Sequence, residues 1–168
     1  ISSFAALVQV DEPLPEVDYA SRIGPEEERI GKLCAELIED RSTLQMGIGA
    51  IPDAILWSLR SHKDLGVHTE MCSNGIVELL QCGAITNRYK KKYKDRVVTS
   101  FAIGTRALYD RIDDNPQFAF LDAQYVNAGH VLRQNPRVVA VNSAIEVDLT
   151  GQVCSDSIGT YQFSGVGG

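Results

Sequence analysis

Two glycine-bearing turns constrain this chain more than any other feature. Gly47-Ile48-Gly49-Ala50-Ile51-Pro52 follows the β-prone run Thr43-Leu44-Gln45-Met46, and Gly66-Val67-His68-Thr69-Glu70-Met71 carries a second strand, Leu65 to Thr69, into a carboxylate. Each leads into a helical pattern: Pro52 to about Arg60 with Ile55, Leu56 and Leu59 inward, then Ser73 to Leu80 with Ile76, Val77, Leu79 and Leu80 inward. Strand, turn and helix repeated in this way point to parallel strands joined by helical crossovers, which puts both turns at carboxyl ends of strands. In such sheets ligands bind at those ends.

Residues 1 to 20, with Pro13 and Pro15, read as an extended connector whose Phe4, Leu7, Val8 and Val10 suggest that it is packed. Beyond it the alternation continues on either side. Gly24-Pro25 opens a helix, because proline suits the first helical position and Glu26, Glu27 and Glu28 meet the positive end of the helix dipole. Ile30, Leu33, Cys34, Leu37 and Ile38 follow at the spacing of one buried face. Further on, Arg96 to Ile103 is a strand, Thr105 to Asp113 a helix with Leu108 and Ile112 on one side, and Phe118 to Leu121 a strand. A loop runs through Asn127 and His130, Val138 to Val147 is the longest β-prone run, and Gln152-Val153-Cys154 pairs with it across the Thr150-Gly151 turn. The expected fold class is therefore α/β, a largely parallel sheet flanked by helices with antiparallel pairing near the end.

At 168 residues the chain is the size of one domain. A net charge of -6 and a pI near 5.0 disfavour nucleic acid, which needs a basic face to neutralise phosphates. One basic run, Arg88-Tyr89-Lys90-Lys91-Lys92-Tyr93-Lys94, reads as a solvated loop or, second, as an attraction for a phosphate-bearing small ligand. The four cysteines, Cys34, Cys72, Cys82 and Cys154, lack metal-ligand spacing, so no metal site is expected and reduced thiols in a cytoplasmic protein are the simplest account. No stretch approaches the roughly 20 apolar residues that span a bilayer, so no membrane association is expected.

Taken alone, the candidate residues keep two readings. The turn pattern G-x-G-x-x-P lacks the third glycine of a dinucleotide fingerprint, so Gly47 and Gly49 serve equally as turn glycines or as ligand contacts. Glu70 is a nucleophile, a general base or a helix-starting charge. Glu146, inside the apolar run Ala144 to Asp148, is the rival nucleophile, but alternation gives Ala144, Glu146 and Asp148 a shared polar face that needs no chemistry. Glu78 reads as an exposed helix residue, and His62, His68 and His130 have no serine or cysteine partner set, His68 being a cleft-lining or hydrogen-bonded residue.

The chain starts at Ile1 and stops on Ser164-Gly165-Val166-Gly167-Gly168, which reads as a piece of a longer protein. Together the strings Leu44 to Leu56, Gly66 to Met71, Asn142 to Gln152 and Ser164 to Gly168 resemble the acetyl-CoA hydrolase and CoA-transferase family, its 4-hydroxybutyrate and butyrate:acetate CoA-transferases above all. The resemblance implies a CoA-transferase (NagB/RpiA-like) domain, with residues 1–22 a connector from another domain and residues 23–168 part of the domain that carries the nucleophile. It implies Glu70 as that nucleophile, Asn127 as the residue orienting the glutamate or thioester, and Gly168 as the oxyanion-hole glycine. It further implies Gly47, Ile48, Gly49 and Ala50 beneath the thioester and pantetheine arm, and Gly165, Val166 and Gly167 in the G-x-G-G turn. The implied substrates are an acyl-CoA and a short carboxylate, with coenzyme A entering as a thioester, no permanently bound cofactor, and a homo-oligomeric parent protein.

Overall fold

The structure, a computed structural model, describes residues 5–165. Helix α1 (Pro25–Ala35) begins where its acidic first turn predicts, and the Glu27 carboxylate accepts the Gly24 N–H at 2.9 Å. Strand β1 (Thr43–Met46) passes through the first glycine turn into α2 (Ala50–Ser58), and β2 (Gly66–Val67) is followed by β3 (Met71–Cys72) and α3 (Asn74–Gln81). Then come β4 (Val97–Thr99), β5 (Phe101–Ala102), α4 (Arg106–Ile112), β6 (Phe118–Phe120), the short helices α5 (Ala123–Val126) and α6 (Gly129–Leu132), and β7 (Val138–Val141).

Every pairing in this body is parallel. β1 lies between β2 and β7, a bridge from His68 to Val98 joins β2 to β4, and β4 pairs with β6. β3 and β5 pair beside them, with Met71 opposite Phe101. Leu44 and Val67 from the sheet, Ile55 and Leu56 from α2 and Ile76 from α3 are closed to solvent and form one core. The expected α/β architecture is present, and its antiparallel part is confined to two small ribbons, β8 (Glu146–Val147) with β9 (Val153–Cys154) and β10 (Ser157–Ile158) with β11 (Tyr161–Gln162).

Five sequence expectations give way to geometry. Only part of the expected stripe faces inward: Leu33 and Leu37 are exposed, Leu37 at 82%, while Ile38 is buried, Cys34 packs against the core, and Gly31 and Ala35, outside the stripe, are buried as well. The reason is close approach, since a Cβ on Gly31 would sit 2.6 Å from the Ala54 carbonyl oxygen of α2. The run from Arg96 to Ile103 breaks at Ser100 into β4 and β5, which pair with different strands. The run from Val138 to Val147 likewise divides into β7 and β8, and the loop expected through Asn127 and His130 contains α5 and α6, α5 being opened by the Asp122 carboxylate on Gln124 N–H at 2.8 Å. The connector was expected to pack through Phe4, Leu7, Val8 and Val10; Leu7, Val8 and Val10 are exposed, and Phe4 lies outside the described residues.

Two outcomes follow from this packing. Gly31→Ala should lower stability by about 1–3 kcal/mol in chemical denaturation, because its methyl meets backbone rather than a movable side chain. Leu33 on α1, Leu37 just past it, and Val147, Leu149, Tyr161 and Phe163 in and beside the ribbons are exposed apolar side chains, so the 168-residue chain should self-associate with concentration. Sedimentation giving a monomer throughout would contradict the second expectation.

Candidate functional site at the ends of β1 and β2

A threonine joins the two glycine turns. Thr69 Oγ1 donates to the Met46 carbonyl and accepts from the Met46 N–H, both at 3.0 Å, so the end of β1 is stitched to the residue before Glu70. Gly47 N–H then bonds the Val141 carbonyl at 2.7 Å, and a Cβ there would meet that oxygen at 3.1 Å. Gly49 has φ +113°, a conformation that favours glycine, and directs the chain into the amino terminus of α2. Ile48 is exposed, and Gly49 and Ala50 are half-buried.

Glu70 is held at both ends. Its carbonyl accepts Ser100 N–H at 2.8 Å, Phe101 N–H at 3.1 Å and Thr99 Oγ1 at 2.9 Å, which is why the chain kinks at Ser100 between β4 and β5. Its carboxylate Oε2 accepts Asn127 Nδ2 at 2.8 Å across 57 residues of sequence. A carboxylate can only accept here, so the orientation of the Asn127 amide is settled by its partner. Glu70 is half-buried rather than enclosed, and the Ser100 hydroxyl behind it is buried with no partner among the described residues.

The alternatives separate clearly. Glu146 is exposed, and Glu78 pairs with Arg60. His62 Nε2 meets the Ile38 carbonyl at 2.9 Å, whereas His130 is exposed. Cys72, two residues past Glu70, is buried, and burial followed by the nearby Asp53 charge pushes its thiol up to about 12, which leaves it protonated and unreactive at neutral pH. No cluster of three or more His, Cys, Asp or Glu side chains able to hold a metal occurs among the described residues, and no helix there is long and apolar enough to cross a membrane. Gly165 is exposed, and Val166, Gly167 and Gly168 lie outside the described residues. A cavity of about 900 Å³ between α1 and α2 is lined by Trp57 and His62, among others, but by none of Glu70, Asn127 or the first glycine turn.

Sequence reasoning missed the supports of β2. The basic run is not simply a solvated loop: Lys90 is 3% exposed and donates from Nζ to the Val67 carbonyl at 2.6 Å and the Arg96 carbonyl at 2.7 Å, filling the gap where β2 and β4 diverge. Asn87 Oδ1 accepts the Val67 N–H at 2.8 Å, so two side chains supply the hydrogen bonds that a neighbouring strand would otherwise give. Asp53, at the start of α2, is buried and accepts Ser73 Oγ at 2.7 Å; burial raises its pKa, and the serine bond opposes that rise. Charge patterning cannot distinguish a buried lysine from its exposed neighbours, and the available hint was Asn87, a residue type tolerant of the φ +57° it adopts.

The chain belongs to the acetyl-CoA hydrolase/transferase family, and residues 104–168 match its C-terminal domain. It is 57% identical over 143 residues to the succinyl-CoA:acetate/propanoyl-CoA:succinate CoA transferase of Fasciola hepatica, covering 84% of this chain and 30% of that protein. It is 45% identical over 168 residues to the 4-hydroxybutyrate coenzyme A transferase of Clostridium kluyveri, covering 100% of this chain and 39% of that protein. The crystal structure of a 4-hydroxybutyrate CoA-transferase from Porphyromonas gingivalis superposes with a TM-score of 0.83 at 43% identity, over 90% of this chain and 38% of that one. The chain thus spans well under half the length of these relatives.

Lys90 gives this region a pH signature. Burial lowers its pKa from 10.5 to about 7, so between those values the unfolded chain holds a proton that the folded chain has released, and stability from this group rises with pH across that window. Comparing Lys90→Met with the parent between pH 7 and 10 should reveal a smaller gain in the variant, by on the order of a few kcal/mol. Parallel stability curves for the two proteins would count against the buried amine.

Proposed function

We propose that the protein to which this chain belongs transfers CoA from an acyl-CoA to a short-chain carboxylate of the acetate, butyrate or 4-hydroxybutyrate type, with Glu70 as the covalent carrier. The observation that carries the reading is the 2.8 Å bond from Asn127 Nδ2 to Glu70 Oε2, beside the Gly47 turn. Asn127 holds one carboxylate oxygen and leaves the other free to attack the thioester carbonyl carbon. The carbon–sulfur bond breaks, CoA leaves as the thiolate, and an acyl-glutamyl anhydride remains. The thiolate then attacks the glutamyl carbonyl, the acyl group departs as its carboxylate, and a glutamyl-CoA thioester stores the activation.

An acceptor carboxylate runs the same two steps in reverse: it displaces the thiolate from Glu70, and the thiolate takes the new acyl group. The first product leaves before the second substrate reacts, so the kinetics are ping-pong. When the thiolate or the acceptor attacks the glutamyl carbonyl, the Asn127 N–H donates to the glutamyl oxygen on which charge then develops. The G-x-G-G turn, Gly165 to Gly168, is assigned the thioester oxyanion, and Gly47, Ile48, Gly49 and Ala50 the floor under the thioester and pantetheine arm. Because Glu70 is half-buried, the bound acyl-CoA must supply the remaining exclusion of water.

That same openness favours one second reading, hydrolysis, in which water replaces the acceptor at the glutamyl carbonyl. Measuring CoA release with and without acetate separates the two. For the carrier itself, the full-length protein is incubated with acyl-CoA, trapped with borohydride or hydroxylamine, and mapped by mass spectrometry. The modification should fall on Glu70 and vanish in Glu70→Ala, with turnover reduced on the order of a thousandfold or more. An active protein whose Glu70 stays unmodified rejects the assignment.

A further inference from the structure

His68 and Asn135 take no part in the chemistry above, yet they stand directly behind it. His68 is fully buried, two residues before Glu70 in the segment between β2 and β3. Its Nε2 lies 3.0 Å from the Val126 carbonyl, and Val126 immediately precedes Asn127. We infer that His68 is a positioning residue for Asn127, which it fixes through Val126, and that Asn135 fixes His68 in turn. The inference rests on the reading of Glu70 and Asn127 given above.

The polarity of the chain of bonds runs one way. A carbonyl can only accept, so the Nε2 facing Val126 carries the hydrogen. At the other end the Asn135 oxygen is already engaged, because Oδ1 accepts Lys92 N–H at 3.1 Å. That turns the Asn135 Nδ2 toward His68 Nδ1, a long contact at 3.4 Å, and leaves Nδ1 as the bare acceptor nitrogen. Burial, followed by the charge of Lys90, lowers the His68 pKa, which keeps the ring neutral in this single tautomer.

The result is a closed circuit. From Glu70 it runs back along the backbone to His68, across the 3.0 Å contact to Val126, forward to Asn127, and across the 2.8 Å bond to the Glu70 carboxylate. Val126 also packs with Val98 and Ala119, Leu121 N–H bonds the Thr99 carbonyl at 2.8 Å ahead of α5, and the Tyr125 ring meets Tyr93 edge-on, contacts that hold α5 on the sheet without bonding the Val126 carbonyl. The imidazole bond is directional, so it determines where the last turn of α5 aims Asn127.

A double-mutant cycle in the full-length protein tests this, reading acyl-CoA:acetate transfer beside circular dichroism. His68→Ala should lower kcat by on the order of tenfold to a hundredfold, with KM for acyl-CoA within about twofold, because the reacting carboxylate loses its alignment and not its substrate contacts. In an Asn127→Ala background the same change should cost less than about threefold. His68→Gln, whose amide N–H can reach for the same carbonyl, should recover part of the loss. Should His68→Ala fail to fold, Asn135→Ala carries the same cycle, with a smaller loss that again shrinks when Asn127 is absent. Equal losses in both backgrounds, with Asn127→Ala itself impaired, overturn this inference alone; undiminished turnover in Asn127→Ala overturns the reading of the site and this inference with it.

Discussion

The Thr69 hydroxyl is the contact on which the site depends. β1 and β2 are short, and parallel pairing between them ends at Leu44 and Val67. Beyond that point, Thr69 bonds both the N–H and the carbonyl of Met46, extending the register past the last regular pair. Without such a link each turn would be tied only to its own neighbour, Gly47 to Val141 and Glu70 to residues 99–101, and not to the other turn. With it, the glycine turn after Met46 and the acid after Thr69 share one frame, and everything assigned to either depends on the other.

The sheet was legible because its signals are local. Thr43 to Met46, Leu65 to Thr69 and Phe118 to Leu121 are short strand candidates, and β1, β2 and β6 lie within them. The helix starting at Pro25 was legible for the same reason, but its buried face was not. Periodicity selects the most apolar stripe, whereas α1 and α2 meet where backbones approach closest, and only Gly31 allows that. The breaks at Ser100 and after Val141 were equally hidden, since β-propensity runs straight through positions where hydrogen-bond partners change.

The site divides along the same line. Glu70 and the glycine turns stand in short motifs, and the resemblance singled out Asn127 from a region otherwise read as loop; the structure brings Glu70 and Asn127 into contact. What surrounds them had no motif to announce it. Lys90 belongs to a charge run in which Arg88, Tyr89, Lys91, Tyr93 and Lys94 are exposed and Lys92 is half-buried, and only the diverging strands distinguish it. Sequence patterns record which face a residue prefers, but a buried donor placed between two carbonyls is a property of three separate segments.

The three donors on the Glu70 carbonyl have a mechanical consequence. They come from Thr99, Ser100 and Phe101, so the main chain at this residue is a fixed pivot and not a flexible hinge. Whatever travel the carboxyl group needs must come from rotation within the glutamate side chain. A stationary base with a short swinging arm lets one group face opposite reaction partners by changing torsion angles, while the sheet beneath it stays still.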